Sequence, residues 1–513
     1  MKKRLLSLLC AGLLLLPLTG CWEETPDDMG SALIPEELTE DFAQEEEKAE
    51  VLLPLSFSLP YDANQTLDPI TCADGMQQVV AALLYEGLFQ LDTQMEPQLR
   101  LCASYTYDPE TFTYVFTLRS GVLFSDGTAL TAGDVAATLQ RAKSSQRYGA
   151  RLSQMVSATA GEGTVTVVLN GANTGFPSLL DIPIVKSGTA ESLIPIGTGP
   201  YYYAQDESGP CLLANKSWWN GSGQPVDRIG LSAAADRESM LYQFTSHDVQ
   251  MITADLTGAS PISATGNVSF QEADTTVMQY LGLNTRRAPF DDPAVRQALR
   301  QGVDRSTVTS AFLSGHALPA QFPVSPVSPL YPAQLEQAYA YDTFAQALAE
   351  AVDSRAWTLT LLVNEENSFK VSAAEYLAQT LSASGVAIEV KTLPWEEYTA
   401  ALAAGNFDLY YGEVKLTADW DLRPLLATGG SLNYGGWSNE TTNSLLAAFA
   451  SATDRAAAME ALCTHLQQQV PLIPVCFKST SVLVQTGVVE GLTPTMADPF
   501  YDLASCTIHL RES

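Results

Sequence analysis

The chain has 513 residues, with 27 Lys and Arg against 58 Asp and Glu, and a formal net charge of −31. This length predicts two or three lobes rather than one core. The acidic balance argues against nucleic-acid binding, because phosphate contacts require clustered Lys and Arg. A hydrophobic content of 46% is that of a globular protein.

The N-terminus has the pattern of an exported chain. The segment "MKKRLLSLLCAGLLLLPLTGC" places three cations before an apolar run that is too short to cross a bilayer as a mature helix. Its end, "LTGC", resembles a bacterial lipobox, which implies a signal peptide over residues 1–20 and a lipid on Cys21. An ordinary secretory signal is the alternative. Both readings predict an extracytoplasmic protein, and the lipid would anchor it to the cell membrane.

An acidic segment follows the signal. Residues 22–50 contain twelve acids and one Lys, and such a sequence cannot bury a core. We therefore expect residues 21–50 to be the lipidated Cys21 followed by a disordered tether that leads to the folded body.

Apolar patterning predicts several elements in the body. "TFTYVFTLRS" (111–120) and "GTVTVVLN" (163–170) are strands, the first with strict alternation. Between them, Thr131 with Asp134 three residues later predicts a helix start. Farther on, Asp292 followed by Pro293 predicts a second one.

The segment 357–414 predicts a β-α-β-α-β unit. "WTLTLLVN", "VAIEVKTL" and "NFDLYYGEV" are its strands, and its helices end at Gly385 and Gly405. This order implies a parallel sheet with right-handed crossovers. Ligands of such sheets bind beyond the carboxyl ends of the strands. The third strand runs directly into "KLTADW", so Asp419 is expected at a cleft.

The sequence lacks common catalytic and metal-binding patterns. No nucleophile elbow, H-E-x-x-H or P-loop occurs, so we expect no enzyme. With four His and no C-x-x-C, we expect no metal site, and no cofactor is implied. At most one disulfide is expected, with Cys463 and Cys476 as the first pair to check. The cysteines after Cys21 are Cys72, Cys102, Cys211, Cys463, Cys476 and Cys506.

An ordered set of segments carries a resemblance along the whole body. They are "LDPI" (67–70), "LLYEGLFQLD" (83–92), "EPQLRLCASYTYDPETFTYVFTLRSGVLFSDGTALTAGDV" (96–135), "PIGTGPYYY" (195–203), "LGLNTRRAPFDDPAVRQALRQGVDR" (281–305), "NYGGWSN" (433–439) and "VPLIPV" (470–475). With these segments the chain resembles the solute-binding lipoproteins of ABC importers of the oligopeptide, dipeptide and nickel class, bacterial extracellular family 5.

The resemblance implies an α/β, two-lobed, periplasmic-binding-protein-like fold with an extra α/β subdomain on the first lobe. Lobe I is expected at 51–82, 196–280 and 482–513, its subdomain at 83–195, and lobe II at 281–481. The chain is expected to cross between the lobes near 281–284 and 479–482.

The resemblance also implies a function. A monomer would capture a solute, foremost a peptide, in the interlobe cleft and deliver it to an ABC permease and its ATPase subunits. Two alternatives stay open: a binder of another small solute such as a metal chelate, and a tethered ligand sensor without a transporter.

Candidate ligand-binding residues follow from the same resemblance. Peptide binders of the family pair an Asp in an Ala-Asp-aromatic segment with the ligand's α-ammonium group, and Asp419 and Trp420 match that segment. Tyr411 and Trp437 are the further aromatic candidates. A helix cap formed by Asp419 or Asp421 is the alternative. Pro424 comes later here than in the family's pattern, which puts the ligand class in question.

Overall fold

The computed structural model describes residues 53–73, 75–221, 223–263, 266–353 and 355–512. The signal, Cys21 and the tether lie outside these residues. Within them, no helix combines the length and the apolar character that a bilayer crossing requires.

The described residues form nineteen strands and eleven α-helices, numbered in chain order. The strands are β1 (Ser58–Tyr61), β2 (Phe89–Leu91), β3 (Pro97–Leu99), β4 (Cys102–Asp108), β5 (Thr113–Leu118), β6 (Met155–Ala160), β7 (Thr164–Leu169), β8 (Tyr201–Asp206), β9 (Gly209–Ala214), β10 (Arg228–Ala233), β11 (Met251–Ala254), β12 (Val268–Leu283), β13 (Ala317–Pro319), β14 (Trp357–Asn364), β15 (Val386–Leu393), β16 (Leu409–Lys415), β17 (Leu472–Gln485), β18 (Val489–Glu490) and β19 (Thr507–Ile508). The α-helices are α1 (Met76–Leu84), α2 (Ala132–Lys143), α3 (Arg237–Thr245), α4 (Pro293–Gln301), α5 (Arg305–Thr307), α6 (Tyr341–Ala351), α7 (Ser368–Leu381), α8 (Trp395–Ala404), α9 (Arg423–Leu426), α10 (Glu440–Ser451) and α11 (Arg455–Gln469). Short turns of other helix types cover Phe176–Leu179, Val308–Phe312, Ala333–Leu335 and Leu503–Ser505.

Three main sheets organise the body into an α/β fold with two lobes and a subdomain. Lobe I holds the sheet β1-β10-β9-β8, in which β1 and β10 are parallel. The subdomain holds the antiparallel sheet β4-β5-β7-β6, against which α2 packs. The largest sheet has the order β11-β17-β12-β16-β14-β15, with β13 beside β17. This sheet carries lobe II.

Two long strands connect the lobes. In β17, Ile473 and Val475 lie in the core of lobe II, whereas Val482 and Val484 lie in the core of lobe I. Its partner β12 breaks register between Asp274 and Met278. This irregularity lies before residues 281–284, where the sequence predicts the crossing.

The β-α-β-α-β unit forms as predicted. Strands β14 and β15 cover the two predicted segments, and β14 pairs in parallel with both β15 and β16. Helix α8 ends at Gly405 in the left-handed conformation, at φ 67°. Helix α7 ends at Leu381, before the predicted Gly385. Buried side chains on both faces of β14 and β16 explain their near-continuous apolar sequences.

The predicted caps also form. Thr131 and Asp134 make the reciprocal bonds of a capping box at the start of α2. Asp292 accepts a 2.8 Å bond from the amide of Ala294 at the start of α4. Each arrangement satisfies amides that a helix start leaves without intrahelical acceptors.

The six cysteines after Cys21 are buried and form no disulfide bond in the structure. Cys463 and Cys476 belong to different sides of the lobe II core. Burial raises the pKa of the Cys476 thiol to about 12, so this side chain acts as a small apolar group.

Candidate functional site

A cavity of about 300 Å³ lies where the lobes meet. Lobe II contributes residues 415–418, at the end of β16, as the sequence predicts for a cleft. The other walls come from residues 69–72, from α1, from the segment after α2, from residues 181–183 and from residues 496–497 near the C-terminus. Its volume is at the low end of the range for small-molecule sites.

Cations dominate the charged lining of this cavity. The described residues that line it include Arg147, Arg151 and Lys415 but a single carboxylate, Asp181. This balance is opposite to that of the whole chain, so the cavity is locally positive in an acidic protein.

Arg151 is fixed by the protein's own groups. Its guanidinium forms an ion pair with Asp181, donates to the Ser178 carbonyl at 3.4 Å and lies 5.8 Å from the centre of the Tyr148 ring. Burial lowers the pKa of Arg151 to about 10, while the charges of Tyr148 and Asp419 oppose the shift. The side chain therefore stays charged at neutral pH.

A second cavity of about 470 Å³ adjoins the first and shares Ala82, Asp181, Pro183 and Ala497 with it. It is lined by lobe I and its subdomain, so the smaller cavity, with walls from both lobes, is the better candidate for a cleft that opens and closes.

Two residues that line this second cavity, Glu86 and Arg100, form an ion pair. Arg100 donates to Glu86 at 2.9 Å, and its guanidinium lies 5.3 Å from the centre of the Trp218 ring. Glu86 also accepts bonds from Trp218, Trp219 and Thr198. The Glu86 carboxylate therefore already has four partners within the protein.

Asp419 is buried at 3% exposure, beside the cavity rather than in its wall. Its Oδ2 accepts a 2.8 Å bond from Nδ2 of Asn173, and Oδ1 accepts from the hydroxyl of Thr417. A ligand ammonium group would have to displace Asn173 to reach Oδ2. The ammonium role stays a prediction.

The two acids proposed as alternative helix caps, Asp419 and Asp421, make different contacts. Helix α9 has Leu422 at its N-cap, without a side-chain cap bond. Asp421 accepts a 3.1 Å bond from the amide of Arg423 and pairs with the Arg423 guanidinium. Asp421 thus serves the start of α9, and Asp419 bonds to Asn173 and Thr417.

The three aromatic candidates lie in lobe II's own packing. Trp420 is 1% exposed and meets Phe477 edge to face at 6.0 Å, and Tyr411 donates its hydroxyl proton to Gln279 at 2.8 Å. Trp437 donates to Thr442 at 3.2 Å. None of the three lines the cavity between the lobes. Their ligand contacts stay predictions that would require these rings to leave their present partners.

The cations of the cavity were not predicted from the sequence. Residues 141–151 carry four of the 27 Lys and Arg in this acidic chain, which is a signal that the composition could have given. Among the residues that the structure describes, no group of three or more His, Cys, Asp and Glu is arranged to hold a metal ion.

Comparison with known proteins gives the family. Residues 96–431 match the family model of bacterial extracellular solute-binding proteins, family 5 Middle. The chain belongs to this family. A glutathione-binding protein from Escherichia coli K12 is 27% identical over 389 residues, which cover 71% of this chain and 76% of that protein. A related glutathione-binding protein from Salmonella typhimurium is 27% identical over 413 residues, 75% of this chain and 80% of the relative.

Solved structures confirm the two-lobed fold. HbpA2 from Haemophilus parasuis superposes with a TM-score of 0.75 at 21% identity, covering 89% of this chain and all of that one. Membership in family 5 makes this chain an extracellular solute-binding protein of the class that serves ABC import, and the family is one of binding proteins rather than enzymes.

Proposed function

We propose that this family 5 protein captures a short peptide in the cavity between its lobes and hands it to the permease of an ABC importer. The observation that carries the proposal is the cavity itself, whose walls come from both lobes. A ligand there contacts lobe I through α1 and lobe II through residues 415–418, so closure of the lobes would enclose it. The named ligand of the curated relatives, glutathione, is a tripeptide.

The lobe boundaries given above belong to the same proposal. Lobe II, expected at 281–481, would rotate on β17, which has side chains in both cores, and on its pairing partner β12. The register break after Asp274 interrupts the β12–β17 ladder at the point where the strands pass between the lobes. An interrupted ladder has fewer hydrogen bonds to resist bending, so we place the hinge there.

Membrane attachment is the third part of the proposed function. A lipid on Cys21 and the acidic tether 21–50 would hold a monomer near its permease while leaving the body free to move. The support is the segment "LTGC" at residues 18–21 and the twelve acids that follow. About 30 flexible residues reach on the order of 30 Å.

Native mass spectrometry of the mature chain tests the solute, with calorimetry on glutathione and Ala-Ala-Ala as the second measurement. We expect a co-purifying or added peptide to bind with one-to-one stoichiometry. A metal chelate that co-purifies, with no affinity for either peptide, would support the alternative solute class. Loss of peptide uptake on deletion of the gene supports import. Unchanged uptake supports the tethered sensor.

A further inference from the structure

Three arginines of lobe II are buried outside the candidate site. Arg296, Arg300 and Arg305 are exposed at 2%, 7% and 9%, and none of them forms an ion pair with the residues that the structure describes. A buried cation without partners has a large desolvation cost. Arg296 offsets this cost, because its guanidinium nitrogens all donate to the carbonyls of Gln469 and Phe290, at 2.7 to 2.9 Å.

Arg300 and Arg305 each keep one buried donor without an acceptor. Nη2 of Arg300 donates to the side chain of Gln337 at 2.6 Å, but its Nε has no hydrogen-bond partner among the described residues. Nε of Arg305 donates to the carbonyls of Ala320 and Pro474, both at 2.9 Å. Its Nη2 has no acceptor within the part of the chain that the structure describes. Native proteins leave few buried polar atoms unsatisfied, so two such donors indicate a bound ion or water.

A small cavity lies beside both guanidinium groups. Arg300 lines this cavity of about 20 Å³ together with Gln321 and Pro474, and the described residues that line it include no carboxylate. Arg305 lies beside the same wall, because its Nε donates to the carbonyl of Pro474 and to that of Ala320, the residue before Gln321. This volume is that of a single water molecule or small ion, and it is too small for a solute.

The local charge favours an anion over water. Burial lowers the pKa of both guanidinium groups, to about 10 for Arg305, and the charge of Arg300 adds to the shift of Arg305. Both groups therefore stay charged at neutral pH and repel each other. Glu336 opposes the shift of Arg305, but its side chain is exposed and accepts a hydrogen bond from the Tyr331 hydroxyl. A water molecule would satisfy the two donors and leave the repulsion, whereas an anion would satisfy the donors and offset the repulsion.

We propose that lobe II binds one small monovalent anion, of the size of chloride, between Nε of Arg300 and Nη2 of Arg305. The ion would hold together α4, the segment 320–323 after β13 and the start of β17, which supply walls of the cavity. The anion cavity shares no lining residue with the cleft cavity. The anion site is therefore independent of the proposed function and is expected whichever solute the cleft binds.

The first test compares two sodium salts at equal ionic strength. Gluconate is too large for the anion cavity, so melting the mature chain in chloride and in gluconate separates a bound ion from general screening of the acidic surface. A ligand that binds the folded chain raises its melting temperature. We expect a melting temperature about 2 °C higher in about 100 mM chloride than in the same concentration of gluconate. Bromide, which has a similar radius, should act as chloride does.

The second test uses Arg300→Met, which removes the charge and the unpartnered Nε and keeps an unbranched side chain. The difference between chloride and gluconate should disappear in this variant, whatever its absolute melting temperature. Gln337→Ala is the matched control, because it removes the acceptor of the other Arg300 bond and leaves Nε in place, so the difference should persist. Arg305 is left unchanged, since its bonds to Ala320 and Pro474 serve the fold.

Crystals of the wild-type chain grown in sodium bromide give the third measurement, which requires no variant. Anomalous scattering should place one bromide within hydrogen-bonding distance of Nε of Arg300 and Nη2 of Arg305. A water molecule at this position, or equal melting temperatures in chloride and gluconate, would overturn the proposal. Bromide in the crystal without a chloride effect in solution would be an adventitious ion only and would overturn it as well. A chloride effect that persists in Arg300→Met would place the ion elsewhere and overturn this assignment.

Discussion

Asn173 of the subdomain donates a 2.8 Å hydrogen bond to the buried carboxylate of Asp419 in lobe II. Beside it, the amide of Thr174 donates to the Ala450 carbonyl at 2.9 Å, and its hydroxyl donates to the Ala452 carbonyl at 2.8 Å. These bonds join the subdomain to lobe II at one edge of the cleft. The residue that the family resemblance assigns to the ligand is thus part of a contact within the protein.

Asp419→Asn should lower the free energy of unfolding by about 1–3 kcal/mol, because it removes the charge of a buried acceptor. Arg151 and Arg455, whose burial lowers the pKa of each, would lose the anion that offsets it. Urea unfolding measures this change. Asp421→Asn is the control, since its partly exposed pair with Arg423 contributes about 1 kcal/mol or less.

The same variant separates the two roles of Asp419. Peptide affinity that falls by more than tenfold at a modest stability loss would support the ammonium role. Peptide affinity equal to that of the wild type would contradict the ammonium role. The role of Asp419 would then be its hydrogen bond to Asn173.

Gly175→Ala should disrupt the contact between the subdomain and lobe II. A Cβ at this position would collide with the guanidinium of Arg455, which lies 4.6 Å from the centre of the Phe449 ring and donates to the carbonyl of Asp419. Displacing it should cost about 1–3 kcal/mol of stability. Gly171→Ala is the matched control, because a Cβ there meets open space. Equal melting temperatures for the two variants would show that Arg455 can move without cost.

Local elements were predictable because their causes are local. Tyr114 and Phe116 alternate with Thr113, Val115 and Thr117 in β5, and the face that carries Tyr114 and Phe116 is buried as this alternation predicts. The pairing of β14 with β15 and β16 follows from two helices of crossover length between them. The family segments, read in order, gave the two-lobed architecture.

The site was less predictable because it joins distant segments. Arg147 and Lys415 are separated by more than 250 positions, and no short motif relates them. Trp420 also shows why a matched segment does not fix an orientation. Its backbone is left-handed at φ 55°, which directs the indole into the lobe II core next to Phe477. A sequence pattern does not specify that dihedral angle.

Asp498 should make stability fall as pH rises between about 4 and 6. Burial raises the pKa of its carboxyl to about 6, although the amide of Phe500, the charge of Arg100 and the side chain of Gln90 oppose the shift. A raised pKa means that the folded state holds the proton more tightly than the unfolded chain. The resulting stability is fully present below the unfolded pKa, about 3.9, and is lost as pH passes 6.

Asp498→Asn removes this titration. The free energy of unfolding of the variant, minus that of the wild type, should be larger at pH 7.5 than at pH 4.5. Urea unfolding at the two pH values measures this difference. Asp126→Asn is the control, since a hydrogen bond from Lys186, with another from Thr128, lowers the pKa of Asp126 to about 2, below this window. A constant difference between Asp498→Asn and wild type across the two pH values would contradict the assignment.

Cys21→Ser tests the lipid anchor. Since the thioether of a lipoprotein needs this thiol, the variant should be released from the membrane or should accumulate as an uncleaved precursor. The wild-type chain should partition into the detergent phase, and mass spectrometry of its N-terminus should show the lipid. Cys10→Ser, in the apolar run of the signal, is the matched control and should leave processing unchanged. A wild-type chain that is soluble and has an unmodified N-terminus would contradict the lipoprotein assignment.

Ligand should close the lobes about the strands β12 and β17. Small-angle scattering from residues 22–513 should show a smaller radius of gyration when saturating glutathione is added, because a ligand in the cavity contacts both of its walls. A scattering profile that does not change at saturation would argue against hinge bending, and the bonds of Asn173 and Thr174 to lobe II would then describe a cleft that is already closed before the ligand binds.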